Sequence, residues 1–196
     1  MEPGAQVWVR DTKGSEEWIQ GDLLSRRDAA KSSEFTVSVN GGKPVLIQSE
    51  IDAESGEPED VKLCNVDVGG RAVSEPLDIP DCPVDTALRS LPMPPDDLVQ
   101  LQHLHEPALL HVLSLRFRMN VIYTYVGAIL ISMNPFRRIP ALYEQRRLEQ
   151  YYSTGLLRAQ GVDDVDLLPP HVFAVADGAY RAMMDDKDGT CSGGIN

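Results

Sequence analysis

Cysteine is scarce: Cys64, Cys82 and Cys191 are the only three in 196 residues, too few and too scattered for a disulfide framework or paired Cys-x-x-Cys zinc clips. That usage fits a reducing, cytoplasmic setting. Long hydrophobic runs are missing as well. No uninterrupted apolar stretch approaches the ~20 residues needed to cross a bilayer, and Met1-Glu2-Pro3-Gly4 is not the basic-then-apolar start of a secretory leader. Membrane insertion and secretion are therefore not indicated. Basic residues are outnumbered, 18 Lys+Arg against 30 Asp+Glu for a formal charge of -12, which disfavours long-range attraction to nucleic acid or anionic lipid. No Ser-His-Asp or Cys-His arrangement for nucleophilic catalysis can be argued from the residues present.

Hydrophobic residues make up 42% and charged residues 24% of the chain, near the globular average. A chain of this length buries roughly two thirds of its unfolded surface, as one domain or two small ones. The acid excess is uneven: residues 1–100 hold 9 basic and 20 acidic side chains (-11), whereas 101–196 hold 9 and 10 (-1). The chain reads as two parts.

The first part shows short alternating segments: Val7 to Arg10, Trp18 to Leu24, Phe35 to Val39, Val45 to Ile47 and, weakly, Val61 to Leu63. Period-two alternation punctuated by Asn40-Gly41-Gly42 predicts hairpin-linked strands of a small all-β unit. Trp8 and Trp18 are the large groups expected at its core. Six of the chain's 14 prolines lie between Pro76 and Pro95, which excludes helix or central strand and marks a connector. Beyond it, Asp96-Asp97 is expected to cap a short helix with Leu98, Leu101 and Leu104 on one face. Pro107 suits the first turn of a second helix carrying Leu109, Leu110, Leu113 and Phe117. Val121 to Tyr125 and Ala128 to Met133 read as strands, the latter covered on both faces. A loop over Arg137 to Leu142, a helix over Tyr143 to Tyr152 and a last helix opened by Pro170, with Val172, Phe173, Ala176, Ala179, Tyr180 and Met183 near one face, complete an α/β second part.

Several clusters have a plain explanation. His103, His105, His111 and Glu106 do not share a helix face and Pro107 intervenes, so packing or surface polarity is expected rather than metal binding. Asp163, Asp164 and Asp166 read as a helix-entry loop, because a calcium loop's glycine and terminal glutamate are missing. Arg137, Arg138, Arg146 and Arg147 form a basic cluster, and Arg146 and Arg147 offer a surface for an anionic partner.

Four blocks in order, Leu104-His105-Glu106-Pro107-Ala108-Leu109-Leu110-His111, Ile122-Tyr123-Thr124-Tyr125-Val126-Gly127, Asn134-Pro135-Phe136-Arg137-Arg138-Ile139-Pro140 and Pro170-His171-Val172-Phe173-Ala174-Val175-Ala176-Asp177, resemble the N-terminal quarter of a myosin head. The segments around Trp8 and Trp18 are similar to the small SH3-like barrel that precedes the motor core in many myosins. The resemblance implies the following division: 1–70 an SH3-like β-barrel, 71–95 a Pro-rich linker, 96–184 the N-terminal part of the motor domain (an incomplete P-loop NTPase-type α/β core), and 185–196 a divergent, disordered tail. It implies an actin-based, ATP- and magnesium-dependent motor associated with the cytoskeleton in the intact family. It also places Asn134, Pro135, Phe136, Arg137, Arg138 and Tyr143 on the loop that lies against the adenine base. Leu142 stands where family members usually have a tyrosine, and Tyr143 follows one position later.

In the family the last helix leads into a phosphate-binding Gly-Lys-Thr loop. Residues 185–196 contain Gly189, Gly193 and Gly194 but no Gly-x-x-x-x-Gly-Lys-Ser/Thr, so no phosphate grip, switch loops, actin-contacting surface or tight cofactor binding is expected of this chain. The expectation is a truncated head, inactive by itself. A gene model that omits the rest of a complete ATPase and a non-enzymatic interaction protein derived from a myosin head are the competing readings. A hairpin of two strands alone is marginal, so a fragment prone to aggregate beyond Pro95 is expected.

Overall fold

The structure is a computed structural model that describes residues 1–11, 17–29, 31–65, 74–76, 83–84, 86–89, 91–162 and 165–187. Cys82, Cys191, Asp163, Asp164 and the glycines of the predicted tail lie outside these ranges, as does much of the proposed linker. The chain divides into two units, residues 1–68 with 101–111 and residues 69–100 with 112–196.

In the first unit all five alternating segments are strands: β1 (Gln6–Arg10), β2 (Trp18–Asp28), β3 (Ser32–Val39), β4 (Pro44–Glu50) and β5 (Val61–Leu63). They form one antiparallel sheet in the order β4-β3-β2-β1-β5, consistent with an SH3-like barrel. Asn40 and Gly41 both take positive φ in the β3–β4 turn, the backbone that a tight hairpin requires. Gly21 faces Val37 and Ser38 so closely that a Cβ would lie 2.5 Å from the Val37 side chain. Leu24 is the extra residue of a bulge between the Leu23 and Ser25 pairings, and the long β2 bends there.

Val7, Val9, Leu23, Phe35, Val37, Ile47 and Val61 form the core of this unit. Trp8 is buried as expected but outside this cluster, and Trp18 is not buried. The pleat decides this: Val7 and Val9 point inward, so Trp8 between them points to the other face, where its ring is buried against the His111 imidazole at 5.1 Å between centroids. Trp18 is half-buried, with the Arg10 guanidinium 5.1 Å from its ring and its Nε1–H directed to Glu106.

The helices are α1 (Thr86–Arg89), α2 (Glu106–Arg118), α3 (Gln145–Ala159) and α4 (Val172–Lys187), with a 3-10 turn at Leu98–Gln100. Asp97 caps that turn through Val99 N–H, but the helix expected to reach Leu104 stops at Gln100. His105 caps α2: its Nδ1 accepts from Ala108 N–H, so its Nε2–H donates to the Leu63 carbonyl. Ala108, Val112, Arg116 and, beyond the helix, Met119 are buried, not the expected Leu109, Leu110, Leu113 and Phe117. α2 ends in a Schellman arrangement, with Asn120 at φ 61° and Val121 N–H bonded back to the Arg116 carbonyl. α3 runs well past the predicted Tyr152, to a second Schellman end at Gly161, φ 78°.

In the second unit β6 (Tyr123–Val126) and β7 (Ile129–Ser132) form a hairpin through Gly127, φ 58°. It is the only sheet among that unit's described residues, so the P-loop NTPase core implied by the resemblance is not shown. Ile129 is 68% exposed, so β7 is not covered on both faces as its composition predicted. The exposed side chains of α4 include Val172, Tyr180 and Met183. Its packing face runs instead through Phe173, Ala174, Asp177 and Arg181, against α3.

Candidate functional site

The loop between β7 and α3, residues 133–144, walls an open cleft of about 550 Å³ lined by Ile122, Pro135 and every residue from Arg137 to Glu144. Two prolines stiffen it, Pro135 and Pro140. Phe136 and Ala141 both sit in the left-handed region, φ 51° and 60°, a backbone that costs a non-glycine residue roughly 1–2 kcal/mol. Such strain persists only where the surroundings hold it, and they do. Ile139 and Leu142 are anchored in a core with Ile122 and Tyr123, backed by Leu130 and Met133. Leu142 is thus a floor residue, and its burial leaves the next side chain, Tyr143, 59% exposed on the cleft wall. Tyr143 Oη lies 2.7 Å from Tyr123 Oη. Burial and that partner push the Tyr123 phenol well above its ordinary value, so Tyr123 stays a neutral hydrogen-bonding group.

Of the six residues that the resemblance puts on this loop, Pro135, Arg137, Arg138 and Tyr143 line the cleft. Asn134 and Phe136 do not. Asn134 Oδ1 accepts the Phe136 N–H at 2.9 Å, an Asx turn that shapes the loop from outside; the Phe136 ring is 92% exposed. Arg137 bonds Asn120 Oδ1 at 2.9 Å and lies 5.7 Å from the Phe117 ring, so asparagine at the end of α2 serves both the left-handed cap and the cleft wall. Arg146 is exposed on α3 and Arg147 lines a separate cavity of about 230 Å³ with Asn120, Glu75 and His171.

Sequence reasoning missed the residue that holds this floor in place. Arg116 is fully buried and donates to Thr124 Oγ1, to the Pro94, Pro95 and Tyr123 carbonyls, to Ser74 Oγ, and to Asp96 Oδ1 at 2.9 Å. Asp96 also accepts from the Ser74 amide and hydroxyl. Burial pulls the guanidinium below its ordinary value and Asp96 pulls it back; arginine stays charged. A charge at the centre of an apolar stripe is the signal that was available: Val112, Arg116 and Met119 share a face at helical spacing.

A second feature is an aromatic box. His171 is 1% exposed, with Tyr123, Tyr143, Tyr151 and Phe173 rings at 5.0, 5.8, 5.1 and 4.5 Å between centroids. Its pKa is pushed down to about 4 by burial, with the Arg147 charge adding to the effect. Tyr151 donates to the Pro169 carbonyl at 2.6 Å, and burial pushes its phenol up to about 12.

The chain combines a five-stranded antiparallel barrel-like unit with a second unit whose helices and hairpin support a proline-stiffened cleft loop. The myosin head (motor domain) family model matches residues 95–192. Among curated proteins of Arabidopsis thaliana, Myosin-14 is 35% identical over 180 residues, 92% of this chain and 9% of that protein. Myosin-9 is 46% identical over 183 residues, 93% of this chain and 9% of its own length. Myosin-17 is 33% identical over 183 residues, with the same coverage of both chains. The chain belongs to the myosin head family. It spans about a tenth of the length of these relatives.

Proposed function

We propose that the chain is the N-terminal part of an actin-based, ATP-driven motor, with residues 1–70 as the barrel, 71–95 as linker and 96–184 as the opening of the motor domain. On this reading the 550 Å³ cleft is the wall against which the adenine base rests. The observation that carries it is a strained, proline-stiffened loop held on a buried floor, presenting Arg138 and Tyr143 to an open cleft. A rigid apolar and aromatic surface receives a flat base with little ordering cost.

The 196 residues contain no Gly-x-x-x-x-Gly-Lys-Ser/Thr, so in this polypeptide nothing of that kind grips the triphosphate or its magnesium. Base contact alone is worth less than ~4 kcal/mol, weaker than millimolar, and ATP hydrolysis by these residues alone is not expected. Actin as partner, cytoskeletal location and an anionic partner at Arg146 and Arg147 belong to the same proposal. The helices of the described residues include none long and apolar enough to cross a membrane.

Photolabelling the full chain with 2-azidoadenosine, followed by peptide mapping, tests the site. Label concentrated within residues 135–144 and competed by adenosine supports it. Label in the barrel, or label that adenosine does not displace, overturns it.

A further inference from the structure

The cleft loop and α4 meet at His171 and, edge to face, at the Tyr143 and Phe173 rings, 6.1 Å between centroids. Phe173 N–H donates to His171 Nδ1 at 3.1 Å, so Nδ1 is unprotonated. The other ring nitrogen, Nε2, therefore carries the hydrogen and donates to the Leu142 carbonyl at 3.0 Å. The tautomer is fixed by geometry alone. One nitrogen caps the first turn of α4, and the other holds the backbone of the residue that precedes Tyr143. The rings around the imidazole come from four places: Tyr123 from β6, Tyr143 from the loop, Tyr151 from α3 and Phe173 from α4. With 1% exposure the ring has no room to turn without breaking one of its two hydrogen bonds.

We propose that His171 is a positioning residue, a neutral imidazole that ties the Leu142–Tyr143 end of the cleft loop to the first turn of α4 so that the two shift together. The tie follows from the hydrogen bonds; its consequence for a bound base rests on the cleft reading above. A ligand that displaces Tyr143 strains the Leu142 carbonyl bond, and the imidazole passes that displacement to Phe173 N–H. Phenylalanine at 171 would fill the box but offer neither nitrogen. Asparagine retains an acceptor for the helix cap and is too short to reach Leu142 as well.

The test is nuclear magnetic resonance on the full chain. Long-range proton–nitrogen spectra of histidine-labelled protein are expected to show His171 as the Nε2–H tautomer, unchanged between pH 8 and 6. The titratable and charged groups that face it are the Tyr123, Tyr143 and Tyr151 hydroxyls and the Arg147 guanidinium, and burial pushes the Tyr123 and Tyr151 phenols upward, away from that range. An Nδ1–H tautomer, or ordinary titration near 6.5, overturns the proposal. Ala141→Gly, which relieves the left-handed backbone beside Leu142 without altering the Tyr143 ring that itself faces Phe173, is expected to shift the Phe173 and Ala174 amides in the parent chain. In a His171→Asn background the same change should shift loop amides only. Shifts at α4 that survive His171→Asn, or no α4 shift in the parent, overturn it. If His171→Asn fails to fold, the tautomer and the parent-chain shift still decide. Adenosine titration separates the two readings: no loop shift with adenosine defeats the base site, whereas loop shifts without α4 shifts defeat the tie.

Discussion

Replacing Asp96 by asparagine tests how the cleft floor is held. The substitution keeps size and shape but leaves the Arg116 guanidinium, fully buried, without its counter-charge. Breaking a buried pair from one side costs about 3–5 kcal/mol, because the remaining charge is uncompensated. That is a large share of the ~5–15 kcal/mol that holds a domain together. Tyr125 N–H donates to the Asp96 carbonyl at 2.8 Å, so hydrogen exchange of the Tyr125 amide reads the loss where it occurs. At ~1.4 kcal/mol per decade, protection should fall by between two and four decades if that amide exchanges through opening of the floor. Arg116→Met should be worse still, because it strands the Pro94, Pro95 and Tyr123 carbonyls. Ser74→Ala, which loses the hydroxyl's bonds to the Asp96 carboxylate and the Arg116 guanidinium but leaves the ion pair in place, should cost less, about 1.5–3 kcal/mol. Less than a tenfold loss for Asp96→Asn, or a reversed order among the three, would refute the reasoning.

The buried His171 makes stability pH-dependent. Its folded pKa of about 4 lies below the ordinary 6.5, so as pH falls from 6.5 to 4 the unfolded chain gains a proton that the folded chain refuses. Stability therefore drops on acidification, by about 3 kcal/mol in total, and urea midpoints of parent and His171→Asn should converge over that window; parallel curves would contradict this. Asn120→Gly should leave the left-handed end of α2 intact while releasing Arg137, whereas Asn120→Ala should cost about 1 kcal/mol through its positive φ, measurable as a difference in melting temperature. At Gly155 an added Cβ would fall 1.8 Å from Asp177 Oδ2, an oxygen already paired with Arg181 at 2.7 Å. Gly155→Ala should therefore break that ion pair and reduce exchange protection in α3 and α4, despite alanine's higher helix propensity.

The strands of the first unit were legible because a sheet buried on one side writes its register as alternation, and Asn40-Gly41 marks the turn. The same alternation assigns Trp8 to the face opposite Val7 and Val9, where it is buried against His111. The buried face of α2 differs from the expected one because its centre is Arg116; the apolar Val112 and Met119 on either side are a local hint, but its partners Ser74, Pro94, Pro95 and Asp96 lie 20 or more residues away. The α3 stop at Gly161 has a local signature, a glycine after an amphipathic run, and the helix extends to it rather than ending at Tyr152. At the cleft, the resemblance put Asn134, Pro135, Phe136, Arg137, Arg138 and Tyr143 on one loop, and four of them, Pro135, Arg137, Arg138 and Tyr143, line the cavity. The Asn134 turn is a local signal, two residues long, whereas the His171 bond to Leu142 joins segments 29 residues apart that only the folded chain brings together.

The most direct measurement is calorimetric and resonance titration of the full chain with adenosine, adenosine monophosphate and magnesium ATP in parallel. Affinities in the millimolar range or weaker, alike for all three, indifferent to magnesium and reported by the Arg138 and Tyr143 amides, are the predicted result. Micromolar, magnesium-dependent binding of ATP, or no response of those amides to adenosine, would contradict a base-side wall without a phosphate grip.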